Sequence, residues 1–326
     1  MNWKTAISEL NLFQQCKKYG IPLWQCPQFL FVVMGAVIGG SSIVFYLLGK
    51  KYVTDPYMIT LLILAVTGTL LIIAFIITNS FERLAEANRM KSEFVSIVSH
   101  QLRSPLSNVK WAIEFLLSGR AGAIEQLQVG YFEILKENSA RMLNLVNDLL
   151  QVSRLDQGTL SFEKKSFSFA DMAQDVLREF AAVIKASNIS VTVEGEQNLP
   201  LATSDPFRVR QVLVNLLDNA IRYSAKPASS VPRDGQERNS IRIRYFAQGK
   251  HLRVEIQDNG VGIREEDQPH IFQKFFRSSN ALRHETQGSG LGLYIAKSII
   301  ERAGGEIGFQ SEEHKGSTFW FTVPVA

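Results

Sequence analysis

Four short stretches of this chain hold the side chains from which chemistry could be built. The first runs Phe94-Val95-Ser96-Ile97-Val98-Ser99-His100-Gln101-Leu102-Arg103-Ser104-Pro105-Leu106. At roughly 100° per residue, Phe94, Val98, Leu102, Pro105, Val109, Ala112 and Leu116 fall in one helical arc, flanked by Ile97 and Ile113. His100 lies about 200° from the middle of that arc, so its imidazole is presented to water and not packed into the apolar seam. Pro105 removes a backbone donor and frees the Gln101 carbonyl, which lets the helix bend close to the histidine.

The second stretch is Asn215-Leu216-Leu217-Asp218-Asn219-Ala220-Ile221-Arg222-Tyr223-Ser224. Asn215, Asn219 and Arg222 stand at i, i+4 and i+7, on one helical face. An amide oxygen can ligate Mg²⁺ and a guanidinium can pair with phosphate, so this face suits a metal–triphosphate. The third is Asp258-Asn259-Gly260-Val261-Gly262, directly after an alternating, strand-like run. Its carboxylate can accept from an exocyclic amine while Gly260 and Gly262 let a purine approach the backbone. The fourth is Gly288-Ser289-Gly290-Leu291-Gly292-Leu293, which opens a helical pattern. Glycines and free N–H groups at a helix N-terminus form an anion cradle.

Each stretch has a plain explanation when taken alone: a solvated histidine, solvent-facing asparagines, a turn, a glycine-rich loop. All four in this order describe one nucleotide pocket and one presented imidazole. The pocket is neither a P-loop, since no G-x-x-x-x-G-K-[ST] occurs, nor a dinucleotide fold, since no acidic residue follows a second parallel strand.

The elements that must position these groups follow from the rest of the chain. The length of 326 residues suggests about two domains, and nearly all continuous apolar sequence lies before residue 80. Residues 29–49 and 58–78 are uncharged runs long enough to span a bilayer, joined by a short outer loop at 50–57. The first starts too late and runs too long for a cleavable signal peptide. Lys17, Lys18, Arg83, Arg89 and Lys91 flank the outer ends of this hairpin, against Lys50 and Lys51 in the loop. That bias places both the N-terminus and the C-terminal domain in the cytoplasm, with the chain multi-pass in the inner (cytoplasmic) membrane. Residues 1–28 carry Trp3, Ile7, Leu10 and Phe13 at the spacing of an interfacial helix.

Residues 79–91 are charged and helix-prone without Gly or Pro, so the second span is expected to continue as one linker helix toward His100. A turn at Ser118–Gly122 separates it from a second amphipathic helix at about Leu127–Leu155, with Leu135, Met142, Leu145, Val146, Leu149 and Val152 on its seam. Two helices with one apolar stripe each over 92–158 imply a dimeric four-helix bundle.

From residue 159 to 326 strands and helices alternate. Strands are expected at Leu160–Lys164, Ile189–Glu194, Ile241–Phe246, Leu252–Gln257, Glu306–Gln310 and Thr318–Val323. Helices are expected at Asp171–Ser187, Asp205–Ser224 and Leu291–Ala303, with a Pro/Ser/Gly-rich insertion over Ala225–Ser240. The mixed order predicts an α/β sandwich with helices on one face of a mixed sheet. A net charge of +4 without basic blocks gives no nucleic-acid partner. Cys16 and Cys26 lack zinc-site spacing.

With these residues in view, the chain resembles the sensor histidine kinases over residues 80 to 326. Phe94–Leu106 resembles their H box, Asn215–Ser224 their N box, Asp258–Gly262 their G1 box, Phe272-Gln273-Lys274-Phe275-Phe276-Arg277 their F box and Gly288–Leu293 their G2 box. The resemblance implies a C-terminal domain of the GHKL ATPase (Bergerat) type that binds ATP and Mg²⁺, and a homodimer. His100 would be the phosphoacceptor, with a response regulator receiver domain as partner. It also implies that Asn219 is the Mg²⁺ ligand beside Asn215, that Tyr223 lines the adenine pocket and that Asp258 reads the adenine amine. Arg222 and Lys274 match basic residues near the phosphates. Gly260, Gly262, Gly288, Gly290, Leu291 and Gly292 match the nucleotide loops, and Ile263–Gln287 the ATP lid hinged at Gly262 and Gly288.

Two departures stand beside His100. Gln101 replaces the usual Glu and can orient the ring but not take its proton; Ser104 replaces a common Thr and keeps the hydroxyl. Autophosphorylation is therefore expected to be slower but present, because phosphoryl transfer leans more on positioning than on a base. Two other readings stay open: a protein acting mainly as phosphatase of its regulator, and a non-catalytic membrane adaptor.

Overall fold

The computed structural model describes residues 27–52, 55–122, 124–196, 199–224, 239–279 and 288–325. The expectations for the N-terminal segment with its cysteines, for the bulk of the insertion at 225–238 and for 280–287 of the lid fall outside these residues. The chain divides into two compact units, Met1–Val98 with Asp156–Thr159, and Ser99–Leu155 with Leu160–Ala326.

In the first unit, helix α1 spans Pro27–Tyr52 and helix α2 starts at Pro56 and ends at Leu117. Asp55 opens α2 by accepting the Tyr57 N–H at 2.9 Å, with Pro56 at the position where a missing donor costs nothing. Val32–Lys51 and Tyr57–Phe81 are long and apolar enough to cross a membrane. Their contact is narrow: the Ser42 and Thr67 hydroxyls share a hydrogen bond at 2.9 Å, and Ile38 and Ala74 are buried. The expected continuity is present, since α2 carries the second apolar run and His100 in one helix, Pro105 included.

In the second unit, the C-terminal part of α2 pairs with α3, Gln126–Asp156. Ser99, Arg103, Leu106, Lys110, Ile113 and Leu117 are shielded from solvent and recur at i, i+4, i+7, so they share one face. Ser99, Ile113, Ser139, Val146 and Leu150 are buried there. Arg103 donates to Asn147 Oδ1 at 2.7 Å, and Ser139 Oγ to the Leu106 carbonyl at 3.4 Å. This pairing leaves much of the apolar arc read from the wheel uncovered. Leu102 and Val109 of α2, and Leu135, Met142 and Leu145 of α3, are exposed in the single protomer. The intramolecular face lies about 100° round the helix from the apolar arc.

The C-terminal domain follows with β1 (Lys165–Phe167), α4 (Phe169–Ala186), β2 (Ser190–Gly195) and β3 (Ala202–Ser204). Next come α5 (Pro206–Ser224), β4 (Ser240–Gln248), β5 (His251–Asp258), α6 (Gly292–Ala303), β6 (Ile307–Glu312) and β7 (Gly316–Pro324). Among the described residues, one sheet has the order β2-β4-β5-β7-β6, with β2 parallel to β4 and the other pairs antiparallel.

Alternation decides its faces. Ile241, Ile243 and Tyr245 of β4, Leu252, Val254 and Ile256 of β5, and Phe319, Phe321 and Val323 of β7 point into the core. The helices cover that face. α5 contributes Val209, Val212, Leu213, Leu216, Leu217, Ala220 and Ile221, a stripe of helical period that leaves Asn215, Asn219 and Arg222 on the other side. Ser168 caps α4 by accepting the Asp171 N–H, and Gly304 ends α6 in the left-handed conformation.

Two details differ from the sequence reading. The first strand lies at Lys165–Phe167, not Leu160–Lys164, and pairs antiparallel with β3, which no periodicity announced. Three-residue strands are too short for alternation to register, and their pairing is non-local.

Candidate functional site

A cavity of about 890 Å³ opens in the second unit. Asn215, Asn219, Arg222 and Tyr223 of α5, Asp258 at the end of β5, Gly262 of the turn after it, and Gly288, Gly290 and Gly292 at the start of α6 all line it. Of the remaining expected residues, Gly260 and Leu291 are buried behind this surface. A Cβ at position 260 would collide with the Tyr223 carbonyl, so a glycine is what lets this turn close onto the end of α5. Val261 donates to the same Tyr223 carbonyl at 3.3 Å, locking turn and helix together.

Asp258 is the buried acid of the site. The Gly260 and Ser317 N–H groups both donate to its Oδ1, at 2.9 and 3.3 Å. Burial pushes its carboxyl up to about 6, although those two bonds pull the other way. The strand register explains the position: Asp258 is the last residue of β5 and faces Ser317 on β7. Asn215 lines the same cavity, and its Nδ2 is buried without a hydrogen-bond partner. A buried amide left open in this way is a place for a polar ligand.

The basic residues divide differently from expectation. Arg222 lines the cavity but is held by Asp218 at 2.7 Å on its own helix. Lys274 is exposed, with its Nζ 4.8 Å above the Tyr294 ring, and is not among the described lining residues. Arg277 lines the cavity and donates toward the Gly288 carbonyl at 3.5 Å. The F-box turn and the glycine run also interlock. Phe275, in the left-handed region at φ 64, donates its N–H to the Gly290 carbonyl at 3.0 Å, and a Cβ at 290 would meet the Phe275 carbonyl group.

One wall carries residues that no sequence pattern indicated. Glu137, Arg141, Asn144 and Asp148 of α3 line the same cavity. Ser289 Oγ donates to Asp148 Oδ2 at 3.0 Å and accepts the Leu291 N–H at 3.2 Å. Burial pushes the Asp148 carboxyl above its ordinary range, and the Ser289 hydroxyl partly offsets that. His100, Gln101 and Ser104 are exposed on α2 and do not belong to this lining.

The site is thus a cavity of about 890 Å³ on an α/β sandwich, joined to a helical hairpin on which His100 is exposed. Residues 204–326 match the family of histidine kinase-, DNA gyrase B- and HSP90-like ATPases, and residues 90–158 match the His Kinase A (phospho-acceptor) domain. Sensor protein GacS of Pseudomonas syringae pv. syringae is 32% identical over 244 residues, 74% of this chain and 26% of that protein. The signal transduction histidine-protein kinase BarA of Escherichia coli K12 is 29% identical over 243 residues, 74% of this chain and 25% of BarA. Full-length ShkA, solved in complex with AMPPNP, superposes with a TM-score of 0.59 at 24% identity, over 72% of this chain and 46% of ShkA. The chain belongs to the two-component sensor histidine kinases. It spans about a quarter of the length of these two curated relatives.

Proposed function

We propose that this chain is a membrane-anchored, dimeric histidine kinase. It binds ATP with Mg²⁺ in the cavity, transfers the γ-phosphoryl group to His100, and passes it to an aspartate on a response regulator receiver domain. One observation carries the reading: two asparagines, a buried aspartate and a glycine run, far apart in sequence, wall a single cavity.

The residues divide the work. Asp258 Oδ1 is occupied by backbone donors, which leaves Oδ2 to accept from the adenine amine. Tyr223 walls the base, while Gly288, Gly290 and Gly292 at the N-terminus of α6 offer N–H groups to the phosphates. No group of three or more His, Cys, Asp or Glu able to hold a metal occurs among the described residues. The Asn219 amide oxygen would hold a Mg²⁺ brought in with the polyphosphate, while the open Asn215 Nδ2, a donor and not a ligand, would face a phosphate oxygen. Such a metal would neutralise phosphate charge.

In the transfer, an imidazole nitrogen of His100 bonds to the γ-phosphorus and the bond to the β,γ-bridging oxygen breaks. ADP leaves with that electron pair. The imidazole proton goes to solvent, because Gln101 has no basic atom. The exposed arc of Leu102, Val109, Leu135 and Met142 supports a second protomer as the other half of a four-helix bundle. The two apolar helices support a bilayer anchor, and the Lys and Arg distribution supports cytoplasmic termini.

The experiment is labelling with γ-labelled ATP. An acid-labile, base-stable label on the wild-type chain that disappears in His100→Gln is expected, and its survival in the variant overturns the assignment. Gln101 alone favours the reading of a phosphatase of the regulator, and a phosphotransfer assay with the regulator separates the two. A chain with no affinity for ATP and Mg²⁺ would be the adaptor.

A further inference from the structure

The feature that the proposed reaction leaves unexplained is the α3 wall. Ser289 stands in the middle of the glycine run, where phosphate is expected, and its hydroxyl is committed to a carboxylate from the phosphoacceptor hairpin. The same hydroxyl receives the Leu291 N–H, which would otherwise be a free donor at the head of α6.

The contact is not isolated. One turn further along α3, Gln151 and Gln211 exchange two amide hydrogen bonds, at 2.8 and 2.6 Å. Gln211 lies one turn before Asn215 on α5. Val152 belongs to the core cluster of the C-terminal domain. Together Asp148, Gln151 and Val152 seat that domain on α3 with the phosphate end of its cavity against a carboxylate, while His100 is outside the cavity lining.

We infer that Asp148 is a positioning residue that acts through Ser289, holding the glycine run against α3 and setting its affinity for the polyphosphate of the nucleotide. The carboxylate takes the Ser289 hydroxyl and sets a negative charge beside the glycine run, so a polyphosphate must displace or oppose it, whereas the adenine end at Asp258 is untouched. Loading the nucleotide then loosens the seat on α3 and lets the domain leave for His100. This inference rests on the reading of the cavity as an ATP site.

The test compares two probes on the full chain in detergent or nanodiscs: a non-hydrolysable ATP analogue with Mg²⁺, and AMP, which lacks the β- and γ-phosphates. Asp148→Asn keeps the shape and a hydrogen bond to Ser289 but removes the charge. It is expected to tighten the ATP analogue about three- to tenfold, the size of one like-charge interaction at about 4 Å screened by water, and to leave AMP unchanged. Asp148→Ala should tighten it at least as much and raise the rate of His100 labelling at saturating ATP. Equal shifts for both probes would reduce Asp148 to a merely structural role, and no shift, or weaker binding of the ATP analogue, overturns the inference outright. A wild-type chain that binds neither probe would instead remove the ATP reading on which it rests.

Discussion

Gly292 and Asn215 are in direct contact: a Cβ at position 292 would collide with the Asn215 Oδ1. The head of α6 and the polar face of α5 therefore fit only because residue 292 lacks a side chain. Gly292→Ala is expected to push the Asn215 amide out of place and weaken ATP binding about tenfold, the usual cost of overpacking being roughly 1–3 kcal/mol. The domain should still melt cooperatively. Titration of a non-hydrolysable ATP analogue checks this, and unchanged affinity would mean Asn215 has no part in the site.

The buried acid makes a prediction with opposite signs for binding and stability. The folded Asp258 carboxyl lies at about 6, above its ordinary 3.8, so the folded state holds the proton more tightly than the unfolded chain. Its contribution to stability is full below the ordinary value and is lost as pH rises through about 6, a swing of up to roughly 3 kcal/mol. Asp258→Asn keeps an Oδ1 for the Gly260 and Ser317 donors and removes the desolvated charge. It should melt no lower than the wild type at pH 8 while losing ATP affinity. In the wild type, ATP affinity should fall as pH drops through about 6, because the amine loses its carboxylate. Calorimetry and binding titrations over pH 5–8 give both readouts.

Gln101→Glu places a base beside His100 at an exposed helix position. The initial rate of His100 labelling should rise, within the roughly 10²–10⁴-fold range of full general-base help, with ATP affinity unchanged because Gln101 is outside the cavity. An unchanged rate would show that proton removal does not limit the transfer.

The apolar arc left open by one protomer gives the fourth prediction. Val109 is 47% and Leu135 50% exposed. Val109→Glu with Leu135→Glu should convert a dimer to monomers in light scattering while the nucleotide domain keeps its melting transition. A dimer that persists would move the protomer interface elsewhere.

The sequence was legible where one element carries its own signal. The i, i+4, i+7 spacing of Asn215, Asn219 and Arg222 marked one face of α5, and Asp258 followed by two glycines marked the turn after β5. It did not single out the face of α2 that meets α3, which is not its strongest apolar arc, because a wheel shows which residues avoid water and not which neighbour covers them. It was silent on Asp148, an acid on a helix of ordinary pattern that matters only because Ser289, 141 residues later, meets it in space. Lys274 was placed near the phosphates by resemblance alone, and no pattern in the sequence announced its position over the Tyr294 ring.

The hydrogen bond from Ser289 to Asp148 has one more consequence, which follows from reciprocity. If seating the C-terminal domain on α3 weakens nucleotide affinity by some factor, nucleotide weakens the seat by the same factor. Any input that shifts or twists the hairpin would then be read out as a change in how tightly ATP is held, and stimulus and fuel would act on one shared equilibrium.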